Sequence, residues 1–257
     1  MDVDVEVWMS QFAGVLTRVS SALAFVPLPG LHQSTLAPRA ALAFVIALIL
    51  TPIAMANLRP GGLRTLSDAI WNLPVEAAMG LAAGVAVGWL LEGFILGMQL
   101  VSIQAGYSFA STIDPATQAD SGVLLVAGQL AAGMLFVTLG WEREVLGAFA
   151  ASLDRAPPGS WQLQPGFATL AAQWTGGAIA LALRLAFPVM AFLLLLDLSL
   201  ALLGRTQPQM PLVNLALPVK MAATLILLAL QSNVLPGMLK KSTGSLGELL
   251  GRLGVTG

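Results

Sequence analysis

Leu-Ala-Pro-Arg-Ala-Ala-Leu-Ala-Phe-Val-Ile-Ala-Leu-Ile-Leu-Thr-Pro-Ile-Ala-Met-Ala, Leu36–Ala56, holds one charge, Arg39 near its start, and none after it. As a helix it covers roughly 30 Å, the depth of a bilayer's hydrocarbon core. Similar apolar stretches lie on both sides of it: Phe12–Leu28 before, and Pro74–Val101, Gly122–Gly140, Phe167–Leu203 and Val213–Leu235 after. The pattern reads as an all-α, membrane-associated chain. The Phe167–Leu203 stretch is too long for one simple span, and Gly176-Gly177 or Pro188 is expected to break or kink it into two pieces.

Composition supports this reading. Of the 257 residues, 57% are hydrophobic and 10% charged, against about 45–50% and about 25% in soluble domains. With a mean hydropathy of +0.83, there is too little polar side chain to cover a globule, so lipid or partner subunits must cover the apolar surface. The net charge of −1 and the absence of any Lys/Arg run disfavour nucleic acid as a ligand. No cysteine is present, which removes disulfides, thiol chemistry and thiolate-bound zinc. The N-terminus carries Asp2, Asp4 and Glu6 where a secretory leader would be basic, and is expected to stay in the mature protein.

Charges interrupt the apolar stretches. Arg18, Glu76, Glu92, Arg184, Asp197 and Lys220 lie inside or at the edge of them, where a charge facing lipid costs at least about 2.5–3.5 kcal/mol. Each needs polar company. Asp197 and Arg205 stand about 12 Å apart along a helix, too far to pair directly, so each is expected to pair elsewhere, with partner subunits an obvious source. Loop arginines fall on both sides of any alternating topology, and only the tail, with Lys240, Lys241 and Arg252, gives a modest cytoplasmic signal. Leu246, Leu249, Leu250 and Leu253 suggest a short amphipathic helix in that tail. The turn-forming runs 57–62 and 155–160 separate helical hairpins.

Gly80, Gly84 and Gly88 repeat at helical spacing, with Gly93 and Gly97 beyond them. A stripe without side chains lets another backbone approach closely. Packing within the chain is the favoured reading and a subunit interface the alternative. Gln104–Gly122 is a polar segment centred on Asp114-Pro115. Proline there ends a helix, and the segment reads equally as a surface loop or as irregular backbone lining an aqueous cavity. Arg205–Pro211 is a second polar segment, compatible with a loop at the membrane interface and a snorkelling Arg205. His32 is the only histidine and has no ligand-spaced carboxylate. No hydrolase, nucleotide-binding or metalloprotease motif occurs, so enzyme readings start low. No cofactor or metal site is expected.

Two blocks bring these features together. GYSFASTIDP, Gly106 to Pro115, and GRTQPQMPLVNLALPVK, Gly204 to Lys220, follow Arg18, Pro27, Pro38-Arg39 and Glu76 with Gly80 and Gly84 in the same order along nearly the whole chain. The chain resembles the FliR/SctT-type export-gate family of flagellar and other type III secretion systems.

That resemblance implies membrane-associated helical hairpins with broken helices, built into a helical multi-subunit export gate, with residues 1–257 as one domain and 241–257 as a short cytoplasmic tail. It implies FliP-type, FliQ-type and FlhB-type partners, unfolded export substrates, membrane lipid, and a place in the flagellar basal body at the bacterial inner membrane. Gly106, Phe109, Ile113, Asp114 and Pro115 would belong to a plug in the conduit. Arg205, Pro208, Gln209 and Pro218 would pack against neighbouring subunits, as would Gly80, Gly84 and Gly88 on the interface alternative. This sequence departs from the family in having Met98-Gln99 where many members carry Gly-Glu, and Trp141 after Gly140 where a histidine is common. The competing reading is a small-solute secondary transporter in which Glu92, Arg184 and Asp197 form a midplane site.

Overall fold

The computed structural model describes residues 4–26, 36–58, 62–107, 123–160, 167–206 and 212–239. Helices account for nearly all of them: α1 (Val5–Leu23), α2 (Leu36–Ala56), α3 (Leu66–Ala105), α4 (Val123–Thr138), α5 (Trp141–Arg155), α6 (Phe167–Thr206) and α7 (Leu212–Gln231). No strand occurs among the described residues. The protein is all-α, as its sequence predicts.

Local chemistry sets the helix starts. Asp4 caps α1, its side chain accepting from the Glu6 N–H, and Glu6 lies in the first turn, where it meets the positive end of the helix dipole. A capping box opens α3: the Asp68 N–H donates to Thr65 Oγ1 at 3.2 Å, and the Thr65 N–H donates to Asp68 Oδ2 at 3.1 Å. This box moves the start eight residues ahead of the expected Pro74, which sits exposed inside the helix. Gly140, at φ 74°, separates α4 from α5, which are bent by 62° at that break.

Two elements differ from expectation. Residues 141–155, which lie between two of the expected apolar stretches, form α5. Its apolar residues Trp141, Val145, Phe149 and Leu153 recur every fourth position and are all buried, while charges on the other face break the apolar run. The second difference is α6, which runs 40 residues without a break through Gly176-Gly177 and Pro188. Proline removes one donor and crowds one carbonyl, which bends a helix without ending it when the apolar residues around it still pack. At roughly 60 Å, α3 and α6 each exceed the depth of one bilayer core.

Among the described residues, three helices are long and apolar enough to cross a membrane (Leu36–Ala56, Leu66–Ala105 and Ala171–Thr206), or up to four if α4 and α5 count as one bent span. The most apolar window of α3 is 71% buried within the protein, against 28% for α2 and 33% for α6. The chain therefore wraps α3 itself and leaves α2 and α6 to be covered by lipid or other proteins.

The described residues form two compact units, one within Met1–Leu90 and Phe136–Trp174, the other within Leu91–Leu135 and Thr175–Lys240. In the first, Val15, Val19 and Ala22 of α1 are buried along with Ala47, Met79, Ala83, Phe149 and Leu153. Trp8 stacks on Phe12 at 5.3 Å, and Phe12 meets the edge of Phe44 at 5.4 Å. In the second, Leu91, Phe94, Val101, Ala182, Leu185, Val189 and Leu193 form the core.

Candidate functional site

Arg18 and Glu76 are among the largest fully buried side chains in the protein, at 1% and 0% exposure. Arg18 projects from α1 and donates through Nε to Glu76 Oε2 of α3 at 2.7 Å, while its Nη2 lies 2.6 Å from the same oxygen. Its Nη1 reaches Ser152 Oγ at 3.2 Å and the Ala156 carbonyl at 3.0 Å, and Nη2 also reaches that carbonyl at 3.0 Å. The Gly159 N–H donates to Glu76 Oε1 at 2.8 Å. All three guanidinium nitrogens and both carboxylate oxygens are satisfied. One ion pair thus ties α1, α3, the end of α5 and the 156–160 turn together, which offsets the cost of removing both charges from water.

The glycine stripe lies beside this pair. A Cβ on Gly80 would strike the Arg18 carbonyl and Ser21 Oγ, and one on Gly84 would come within 2.8 Å of Ala22 Cα. On Gly88 it would lie 3.0 Å from the Phe25 carbonyl oxygen. The face formed by Gly80, Gly84 and Gly88 is therefore approached by α1 and the residues just after it in the same chain. Further along α3, Gly93 and Gly97 serve α6 in the same way, opposite Ala178 and Ala182.

A second polar site joins the C-terminal turn of α3 to α6 and α7. Lys220 Nζ lies 2.7 Å from Asp197 Oδ1, and Gln104 Nε2 donates to Asp197 Oδ2 at 3.5 Å. The Tyr107 hydroxyl donates to the Met221 carbonyl at 3.0 Å, and burial pushes its phenol above the usual tyrosine range. Gly106 adopts φ 87°, and Leu217 Cδ1 stands 2.5 Å from where a Cβ would be. Asp197 thus finds its counter-ion in its own chain, where a partner subunit had been the obvious source. Periodicity along single helices gave no sign of this, because Lys220 belongs to another helix.

The remaining expected site residues are dispersed. Glu92, Arg184, Arg205 and Pro218 are exposed. Among the described residues no hydrogen bond or ion pair joins Glu92, Arg184 and Asp197, so the transporter reading gains no site from the fold. Phe109, Ile113, Asp114, Pro115, Pro208 and Gln209 lie outside the described residues, as do His32 and the 242–252 tail. The described residues contain no metal-ligand cluster.

The model of the bacterial export proteins, family 1, matches residues 9–246. The chain belongs to that family. This export protein is 26% identical to the flagellar biosynthetic protein FliR of Escherichia coli strain K12 over 224 residues, covering 86% of this chain and 84% of the relative. It is 26% identical to FliR of Bacillus subtilis strain 168 over 229 residues, covering 87% and 86%. To the surface presentation of antigens protein SpaR of Salmonella typhimurium it is 29% identical over 221 residues, covering 85% and 82%. The names of these relatives place them in flagellar biosynthesis and surface presentation of antigens, and the long apolar helices of this chain fit a membrane protein.

Proposed function

We propose that this export protein is a flagellar biosynthetic subunit of the type III export gate, forming and closing the conduit for unfolded substrates across the bacterial inner membrane. The observation that carries the reading is the family match over residues 9–246, with flagellar FliR proteins among the relatives. The fold agrees with it: α2 and α6 are more than half uncovered by their own chain, as subunits of a larger wall would be. FliP-type, FliQ-type and FlhB-type proteins are the partners that the resemblance implies. The whole chain acts as one export-gate domain, its 241–257 tail on the cytoplasmic side.

In this reading residues 106–122 close the conduit, with Phe109 and Ile113 as apolar filling around Asp114-Pro115. An apolar constriction excludes water and so raises the barrier to ions. The protein performs no hydrolysis; substrates move on energy supplied by its partners and the proton gradient. Deleting residues 106–122 and recording the assembled gate in a planar bilayer tests this. Resting ion conductance should rise, and an unchanged conductance would remove the closing role.

A further inference from the structure

Among the described residues two ion pairs join separate helices, and they differ in how they are held. Arg18–Glu76 is sealed from solvent with every polar atom in use. Asp197–Lys220 is partly open, at 42% and 17% side-chain exposure. Among the described residues, Asp197 Oδ2 has only the long 3.5 Å bond from Gln104, and Lys220 Nζ meets Asp197 Oδ1 alone with its three donors. Such a contact can exchange partners without leaving a charge stranded in the core.

What the open pair holds is specific. Gln104, Gly106 and Tyr107 are the last residues described at the end of α3, and each touches α6 or α7: Gln104 at Asp197, Gly106 at Leu217 and Tyr107 at Met221. Lys220 and Met221 are neighbours on α7, so the ion pair and the Tyr107 bond bind the same turn of that helix. Gly106 turns the backbone through a left-handed conformation at this point. The direction in which the chain leaves α3 is therefore set where α6 and α7 are linked by charge.

We infer that Asp197 and Lys220, with Gln104, are positioning residues: an exchangeable ionic latch that holds the α3 terminus in the resting arrangement of the gate. This rests on the reading that residues 106–122 close the conduit. Opening the pair frees Gln104 and loosens the α7 turn that receives Tyr107, while the Arg18–Glu76 pair keeps the other unit intact.

The test uses the gate assembled with its partner subunits and recorded in planar bilayers. D197N and K220M should each raise resting conductance several-fold at normal assembly yield, and the exchanged pair D197K/K220D should bring it back towards the parent value. Failure of the exchanged pair to restore low conductance would assign the leak to packing and overturn the latch. The deletion of residues 106–122 serves as reference. If the deletion leaks and neither charge variant does, the latch is overturned while the closing reading stands; if the deletion does not leak, the closing reading itself fails. Should the single variants not assemble, the absence of native cysteines allows D197C/K220C to be bridged after assembly with a short reducible bifunctional thiol reagent. Export should fall with the bridge in place and recover on reduction, and unimpaired export through bridged gates would overturn the latch.

Discussion

Arg18 directs Nε and Nη2 at one oxygen of Glu76, 2.7 and 2.6 Å away, and leaves the other oxygen to the Gly159 N–H at 2.8 Å. The carboxylate thus fastens two helices with one oxygen and a turn with the other. E76Q preserves the shape but leaves a buried guanidinium without a counter-charge, and is expected to cost about 3–5 kcal/mol. Replacing both residues with apolar ones of similar volume, R18M/E76L, should cost much less than either single change. Thermal unfolding of the detergent-solubilised chain distinguishes these outcomes; additive losses in the double variant would contradict the pairing.

Glycines have opposite roles in α3 and α6, which gives a matched pair of predictions. Gly84 lies against the Ala22 backbone, whereas a Cβ at Gly176 would meet nothing within 4 Å. G84A should destabilise by about 1–3 kcal/mol, since the obstacle is backbone that cannot rotate away. G176A should be neutral or stabilising by about 0.5–1 kcal/mol, as expected for a helix interior with room for the methyl group. Midpoints of chemical denaturation in one detergent provide the comparison, and equal effects at the two sites would refute the close approach of α1 to α3.

Gly159 joins backbone conformation to the buried pair. Its φ is +87°, and a Cβ there would lie 2.9 Å from Leu63 Cδ2. G159A should cost about 1–2 kcal/mol for the left-handed backbone alone, and more if the turn shifts and its N–H leaves Glu76 Oε1. In the E76Q background the additional loss should be smaller, because the acceptor has already lost its charge. A double-mutant cycle by thermal melting measures this coupling, and strict additivity would show that the turn and the carboxylate act independently.

Most of the helical layout was legible because apolar runs at membrane length leave few alternatives, and α2 falls on the expected Leu36–Ala56. What escaped notice was encoded at shorter range. The Thr65–Asp68 capping box marks the start of α3, but the apolar run that drew attention begins only at Pro74. The four-residue repeat Trp141, Val145, Phe149, Leu153 marks α5 and was masked by the charges on its outer face. The ion pairs show the limit more sharply. A charge in an apolar helix announces that it needs a partner, but the partners of Arg18 and Asp197 are 58 and 23 positions away in sequence, and only the fold brings them together.

Along α6, Leu183, Phe187, Leu194, Leu198 and Leu202 form a stripe at helical spacing, and each is at least half exposed. From Leu183 to Leu202 it runs about 28 Å, close to the depth of a hydrocarbon core. Lipid could cover the stripe in the isolated chain, while the export-gate reading requires partner subunits to cover it after assembly. The chain has no cysteine, so a bimane fluorophore on L198C reports from one place. Nitroxide-bearing lipids should quench it strongly in bilayers holding the chain alone and weakly in the assembled gate, because quenching needs contact with acyl chains. Equal quenching in the two preparations would mean that the stripe still faces lipid in the gate, and the subunit surface would then have to be sought on α2, where Phe44 and Ile49 are also exposed.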